Sequence, residues 1–231
     1  MLRNSVRYAY FGIAGTVLIG GCCLIAALGF TGYEHEGYSF LNHQISELGM
    51  GSESPLAWVF NVGLLVSSPM LLVYILSTRA VLPSRIATIG RMIGIAADIG
   101  GFFVGIFPAD VNPVAHNTSA IIFFIGGAVT VTILSVEIAR QPEAKLGKWL
   151  CFIGFAVLAC FAAYIVYVIA IPGPSLSTST DFRALYALRP PVFWAVGFLE
   201  WLPLIGMLLW IFLAAIDTLR RDRLYIRRRI A

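Results

Sequence analysis

Long apolar segments separated by short polar ones set the pattern of this chain. A helix needs about 20 apolar residues to cross the hydrocarbon core of a membrane, which is about 30 Å thick. Six segments reach that length, at residues 8–30, 56–76, 86–107, 118–139, 149–171 and 192–216. The pattern predicts an all-α polytopic membrane protein: a six-transmembrane-helix bundle, built as a single integral membrane domain over residues 1–231, with a basic tail over residues 217–231.

The composition excludes most soluble classes. Hydrophobic residues make up 59% of the chain and charged residues only 12%, and a water-soluble domain of this size cannot bury that much apolar surface. The formal net charge of +4 is not a nucleic-acid signal, because Lys and Arg cluster at the ends of the apolar segments rather than on one basic face. We therefore expect membrane lipids as partners, and no nucleic acid.

The basic residues predict the orientation of the helices. They precede helix 1, follow helix 6, and fill the turns between helices 2 and 3 and between helices 4 and 5. Because positive charge concentrates on the cytoplasmic side, we expect a multi-pass cell membrane protein with cytoplasmic N- and C-termini. Residues 19–22 resemble a lipoprotein cleavage box, but apolar residues continue to Phe30, so we expect a retained first helix rather than a signal peptide.

The longest non-cytoplasmic segment, residues 31–55, contains a short amphipathic pattern. Leu41, Ile45 and Leu48 follow helical spacing within residues 40–48, and Gly49 is placed to end a helix. The pattern predicts a short helix that lies in the membrane interface.

Polar side chains of catalytic type gather on the same side of the membrane. His43, Ser46 and Glu47 share one face of the short helix, and Asp110 and His116 belong to the next loop on that side. We expect Ser46 or Glu47 to lie near Asp110 or His116. The motifs H-E-x-x-H and G-x-S-x-G, which are diagnostic of zinc proteases and serine hydrolases, are absent.

Three interpretations of this set remain open. Histidines and carboxylates can bind a zinc ion that activates water, although the spacing assigns no particular metal ligands; His43 and Glu47 are candidate ligand-binding residues. Alternatively, Ser46, His116 and Asp110 form a catalytic set for acyl transfer. In the third interpretation the side chains have no catalytic or metal-binding role; they cap helices and hold loops through hydrogen bonds.

Two carboxyl groups fall inside predicted helices, where charge is expensive. Asp98 is central in helix 3 and Glu200 is close to the middle of helix 6, and both are candidate ligand-binding residues. We expect Asp98 to face the bundle interior and to hydrogen-bond Arg91, Glu200 or a hydroxyl such as Thr130 or Thr132. A structural latch of this kind is favoured over a proton or substrate relay.

Two short motifs carry a resemblance to a known family. Residues 45–49 (ISELG) are followed by Ser54-Pro55 and by Phe60-Asn61 in helix 2, and residues 101–110 (GFFVGIFPAD) are followed by His116. In these motifs the chain resembles, over residues 10–215, the family known as domain of unknown function 998 (DUF998). That resemblance implies a six-helix fold with polar motifs on the non-cytoplasmic side, and no particular reaction.

A more distant resemblance connects the chain to the Frag/DRAM membrane family. In that family an Ile-Ser-Asp/Glu-x-Gly loop precedes helix 2 and a histidine opens helix 4; the matching positions are Ser46, Glu47, Gly49 and His116. Some relatives of the Frag group are linked to lipid-anchor remodelling, which implies a role with lipids.

Two functions of different classes follow from the sequence. The first is a polar site at the non-cytoplasmic membrane face that binds or processes a lipid, as a hydrolase or transferase if the protein is an enzyme. The alternative is a non-catalytic accessory or scaffold subunit of a larger membrane complex. The first requires a cavity where the polar side chains meet, whereas the second requires those side chains to be occupied by hydrogen bonds within the loops.

The predicted orientation is tested by cysteine accessibility. We expect cysteines introduced at positions 36 and 178 to react with an impermeant reagent added from outside intact cells. Cysteines at positions 82 and 144 should react only after the membrane is opened. Labelling of position 36 from the cytoplasmic side would contradict the orientation.

Overall fold

The structure is a computed structural model that describes residues 2–32, 35–141, 146–170 and 192–230. Over these ranges all regular structure is helical, and each long helix is long and apolar enough to cross a membrane. The predicted six-helix, all-α fold is confirmed, and the protein is a multi-pass membrane protein. The helices, named α1 to α6, are Leu2–Leu28, Ala57–Ser77, Arg85–Ile106, Pro113–Arg140, Leu150–Ala170 and Ala195–Ile230.

The helices pack as a closed ring. Each helix from α1 to α5 contacts the next one along the chain, and α6 packs against both α5 and α1. Helices α3 and α4 form one of the most extensive of these contacts. A ring of this kind places side chains from several helices around a shared centre, where the cavities described below lie.

The two ends of the ring differ in chemistry. One, which we call the loop end, carries residues 29–56 and the turn at residues 107–112. The opposite, basic end carries Arg79, Arg85, Arg140 and Lys148. Leu82, at this end, is fully buried, so the exposed neighbouring position 83 is the better site for the cysteine experiment.

Helix α4 begins five residues earlier than the hydrophobic pattern predicted, at Pro113. Asn112 caps it, because its side-chain oxygen accepts a hydrogen bond from the Ala115 amide at 3.1 Å. Proline is favoured at the first helical position, where its missing N–H is not needed. His116 therefore lies in the first turn of α4, and the prediction that it belongs to the preceding loop was wrong.

Helix α6 continues through the segment that was predicted to be a separate basic tail. It ends at Ile230 rather than near residue 216. The segment is rich in Leu and Arg, which favour helix. An ion pair one turn apart, Arg221 Nε to Asp217 Oδ2 at 2.8 Å, supports the continuation.

The predicted interfacial helix is shorter and more deeply placed than expected. A 3₁₀ helix spans Ile45–Gly49, and all five of its residues are buried against α1, α2 and α6. Phe40 and Leu41, which precede it, are exposed. The segment therefore lies within the loop end of the ring instead of flat in the interface, because α1, α2 and α6 pack against it.

Glycines allow α3 and α4 to approach closely. A Cβ atom on Gly100 would lie 2.8 Å from the Ser119 carbonyl oxygen and 2.9 Å from the Phe123 amide nitrogen. Both are backbone atoms, which cannot move aside as a flexible side chain does. Close approach through small residues is a main source of helix association in membranes, where the hydrophobic effect between helices is lost.

The importance of this approach is tested by two alanine substitutions. We expect Gly100→Ala to lower the free energy of unfolding by about 1–3 kcal/mol, because the added methyl separates the helices. Gly20→Ala in α1 is the matched control, since no atom lies within 4 Å of its Cβ position. Unfolding of the purified protein in mixed micelles measures both; equal stability of the two variants would contradict the close contact.

Candidate functional site

A hydrogen bond between distant parts of the chain positions the 3₁₀ helix. The Ile45 amide donates to Glu200 Oε2 at 3.0 Å, joining the loop to α6. Glu47, fully buried, closes the segment on itself by accepting from the Gln44 amide through Oε1 at 2.6 Å. These two hydrogen bonds hold the 3₁₀ helix in place and therefore position the side chain of Ser46.

An aromatic cluster supports the loop from the other side. The Tyr38 hydroxyl donates to the Gln44 carbonyl at 2.8 Å and accepts from Trp201 Nε1 at 3.0 Å. The His43 ring stacks on Tyr38 and meets the edge of Phe30. Burial raises the pKa of Tyr38 well above its usual value, and the nearby Glu47 carboxylate adds to the shift, so the hydroxyl keeps the proton it donates.

His116 is held in one tautomer. Its Nδ1 lies 2.9 Å from the carbonyl oxygen of Phe107, and because a carbonyl only accepts, Nδ1 carries the proton. The ring is only 4% exposed, and burial without a counter-charge disfavours the imidazolium form, so Nε2 is the unprotonated nitrogen. Nε2 has no hydrogen-bond partner among the described residues. A histidine oriented in this way presents Nε2 as a proton acceptor.

Ser46, His116 and Glu200 line one cavity at the loop end, with an empty volume of about 450 Å³. We call it the loop-end cavity. Its other lining residues are almost all apolar and come from α1, α2, α3, α4 and α6. The Ser46 hydroxyl, like His116 Nε2, makes no hydrogen bond to another described residue. The structure thus brings together two residues that the sequence placed in different loops, as expected for Ser46 and His116.

Asp110 does not take part in this cavity. Its Oδ2 accepts from the Ser52 amide at 3.0 Å, which ties the turn before α4 to the first loop. No hydrogen bond connects it to His116, whose Nδ1 is occupied by the Phe107 carbonyl. The group that orients the imidazole is therefore a backbone oxygen, and the expected chain Ser46–His116–Asp110 is not formed.

The zinc hypothesis finds no ligand cluster in the parts of the chain that the structure describes. No three His, Cys, Asp or Glu side chains there are arranged to hold a metal ion. His43 Nδ1 contacts the Ser39 backbone, and His43 Nε2 lies 3.5 Å from Glu36 Oε1. His43 and Glu47 thus stabilise the loop, as in the structural interpretation of the sequence.

Asp98 faces the bundle interior, as predicted, but the predicted pairing was wrong. Arg91 donates to the Leu82 carbonyl at 2.7 Å and to Thr88 at 2.6 Å. Glu200 binds the loop, and Thr130 donates to the Gly90 carbonyl at 3.1 Å.

Thr132, the fourth predicted partner of Asp98, also hydrogen-bonds elsewhere, because its hydroxyl donates to the Ala128 carbonyl within α4. No hydrogen bond or ion pair joins Asp98 to any other described residue. The pairing failed because a nearby backbone carbonyl satisfies each hydroxyl, and the Arg91 guanidinium reaches the end of its own helix. Asp98 instead lines a second, deeper cavity.

The contact between Glu200 and Ile45 is the main feature that the sequence analysis missed. The two residues are separated by 155 positions, so no spacing rule relates them. A carboxylate within a predicted membrane helix was the only available signal, because such a group needs a partner.

The sequence profile of the family described as "Protein of unknown function (DUF998)" matches residues 17–217. No curated protein and no solved structure gives a significant match to the chain. The family match covers α2 to α5 in full, the second part of α1, the first part of α6 and both polar motifs.

The absence of a latch at Asp98 is tested by comparing two leucine variants. We expect Asp98→Leu to change the free energy of unfolding by less than about 1 kcal/mol, because no described residue loses a partner. Arg91→Leu should cost about 1–3 kcal/mol, since it leaves the Leu82 carbonyl unsatisfied. Unfolding in mixed micelles measures both. A loss of about 3–5 kcal/mol for Asp98→Leu would instead indicate a charged partner.

Proposed function

Because the chain belongs to the DUF998 family, which has no known function, we propose a function from the site itself: the protein binds a membrane lipid in the loop-end cavity. The observation that carries the proposal is the meeting of Ser46, His116 and Glu200 on the wall of one otherwise apolar cavity. Small-molecule sites combine apolar walls with a few convergent polar groups in this way.

The polar groups favour a particular region of the lipid. Ser46 offers a hydroxyl donor, and His116 Nε2 and the Glu200 carboxylate offer acceptors. None of the described residues that line the cavity is Lys or Arg, which are the usual partners of phosphate. The site therefore suits the ester and hydroxyl groups of the glycerol region, with an acyl chain against the apolar wall.

The same groups would serve a lipid hydrolase or transferase. Ser46 would attack an ester carbonyl while His116 Nε2 takes the hydroxyl proton, and the Phe107 carbonyl would keep the imidazole in the required tautomer. His116 would return that proton to the glycerol oxygen as the ester C–O bond breaks, and water or a second alcohol would then release the acyl group from Ser46. Binding is the broader proposal, and acyl transfer at Ser46 is its enzymatic form.

The distribution of Lys and Arg supports a non-cytoplasmic position for the site. The basic end of the ring is opposite the loop end, and basic residues are retained in the cytoplasm. The lipid would then come from the outer leaflet.

The accessory-subunit alternative differs in what it requires of the polar side chains. His43, Glu47 and Asp110 are held in loop hydrogen bonds, as that alternative expects. Ser46 and His116 Nε2 are not held in this way, and both line the cavity. A lipid ligand would account for the Ser46 hydroxyl and His116 Nε2 having no hydrogen-bond partner in the loops, whereas a purely structural role would not.

Lipid binding is tested by filling the cavity. Ala120 lines it, so we expect Ala120→Phe to reduce labelling by a photoactivatable diacylglycerol in phosphatidylcholine nanodiscs by about tenfold, the loss for a binding penalty of about 1.4 kcal/mol. Ile121→Phe is the matched control, because Ile121 is an exposed apolar residue of the same helix. Equal labelling of the two variants would contradict binding in this cavity.

Ser46→Ala separates binding from reaction. If the protein only binds lipid, loss of one hydroxyl weakens labelling modestly and no product forms with either protein. If it transfers acyl groups, the wild type releases fatty acid or an acylated product from the diacylglycerol and Ser46→Ala does not. Labelling that maps only to the outer surface of the ring would favour the accessory-subunit alternative.

A further inference from the structure

A second cavity occupies the centre of the ring, with an empty volume of about 830 Å³. We call it the central chamber. Its walls come from α1, α2, α3, α4 and α6 and are mostly apolar. The chamber adjoins the loop-end cavity, since residues such as Ile19, Gly101 and Leu204 line both.

Asp98 is the one acidic group among the described residues that line the chamber. The residue is only 8% exposed, and its carboxyl group has no partner among the described residues. No Lys or Arg is among the lining residues either. A carboxylate at this depth in a membrane is expensive unless a positive charge or a hydrogen-bond donor lies beside it, and otherwise it takes up a proton. A bound cation would supply the partner that the described residues do not.

Two of the hydroxyl groups in the chamber wall are available to a ligand only as acceptors. Ser67 directs its proton to the Leu64 carbonyl at 3.3 Å, and Thr130 directs its proton to the Gly90 carbonyl at 3.1 Å, so each oxygen has lone pairs left but no proton to offer. The hydroxyls of Ser68 and Tyr74, which also line the chamber, make no hydrogen bond to another described residue and can donate or accept. A ligand that donates hydrogen bonds is therefore accommodated, and the carboxylate of Asp98 disfavours an anionic ligand.

Aromatic side chains complete the wall. Tyr74, Phe123 and Trp210 all line the chamber. The face of an aromatic ring attracts an organic cation, and the attraction is strongest where water is excluded. A hydrated metal ion fits poorly, because such ions are usually held by several carboxylate or carbonyl oxygens, and Asp98 is the single carboxylate among the described residues of the wall.

We propose that the central chamber binds a lipophilic amine, with its ammonium group against Asp98 and its apolar body among the aromatic side chains. The ammonium group supplies the charge and the donors that the chamber lacks, while the apolar body covers the walls. This site is separate from the lipid site of the loop-end cavity and does not depend on it.

The proposal is tested by quenching of tryptophan fluorescence in phosphatidylcholine nanodiscs. The probe is a long-chain alkylamine with a terminal bromine, and the brominated alcohol of the same length is the neutral comparison. Bromine quenches nearby indole rings, and Trp210→Phe measures the quenching that comes from tryptophans outside the chamber. We expect saturable, Trp210-dependent quenching by the amine.

Asp98→Asn is the decisive variant. It should weaken amine binding by at least about tenfold, since the charge partner is lost, and leave binding of the alcohol unchanged. Asp110→Asn is the matched control: it removes one negative charge at the loop end and should leave amine affinity unchanged. An equal effect of both variants would show general attraction of cations, and unchanged affinity in Asp98→Asn would overturn the proposal.

A second variant locates the ligand without altering the carboxyl group, and decides the question if Asp98→Asn fails to fold. Ser68 is buried and lines the chamber, so Ser68→Leu narrows it. We expect this change to weaken binding of both amine and alcohol. Full retention of amine binding in Ser68→Leu, or the absence of Trp210-dependent quenching in the wild type, would place the amine elsewhere and refute the site.

Discussion

The hydrogen bond from the Ile45 amide to the Glu200 carboxylate connects the first loop to the last helix. Within a membrane protein, a buried carboxylate and a buried amide each need a partner, and here each satisfies the other. The bond holds the Ile45–Gly49 segment in the mouth of the ring. Together with the bond from Tyr38 to the Gln44 carbonyl, it sets the position of Ser46 relative to His116.

The ring itself depends on close backbone approach. Helices α3 and α4 meet at Gly100, where a Cβ atom would clash with backbone atoms of the neighbour. The two adjoining cavities lie between α1, α2, α3, α4 and α6, and both carry polar groups on an otherwise apolar wall.

The polar residues of the loop end divide into two groups with different roles. His43, Glu47 and Asp110 form hydrogen bonds with backbone groups of the loops. Ser46 and His116 Nε2 remain available to a ligand in the cavity. The structural interpretation of the sequence thus describes the first group, while the second group carries the lipid proposal, and the division follows from which side chains already have backbone partners.

The sequence by itself determined the six membrane helices, because a bilayer demands long apolar segments and those are visible in the chain. It also selected Ser46 and His116 as candidates, since polar residues beside membrane helices are few, and both residues line the loop-end cavity. Helix ends were less certain: the start of α4 depends on local capping by Asn112, and the extension of α6 on contacts a turn apart.

Only the tertiary structure decided which polar groups have partners. Ile45 and Glu200 are distant in the chain, and the nearest available partner of a hydroxyl or guanidinium is often a backbone carbonyl that the residue pattern does not show. For that reason the sequence predicted a partner for Asp98, whereas the folded chain leaves its carboxyl group facing the central chamber.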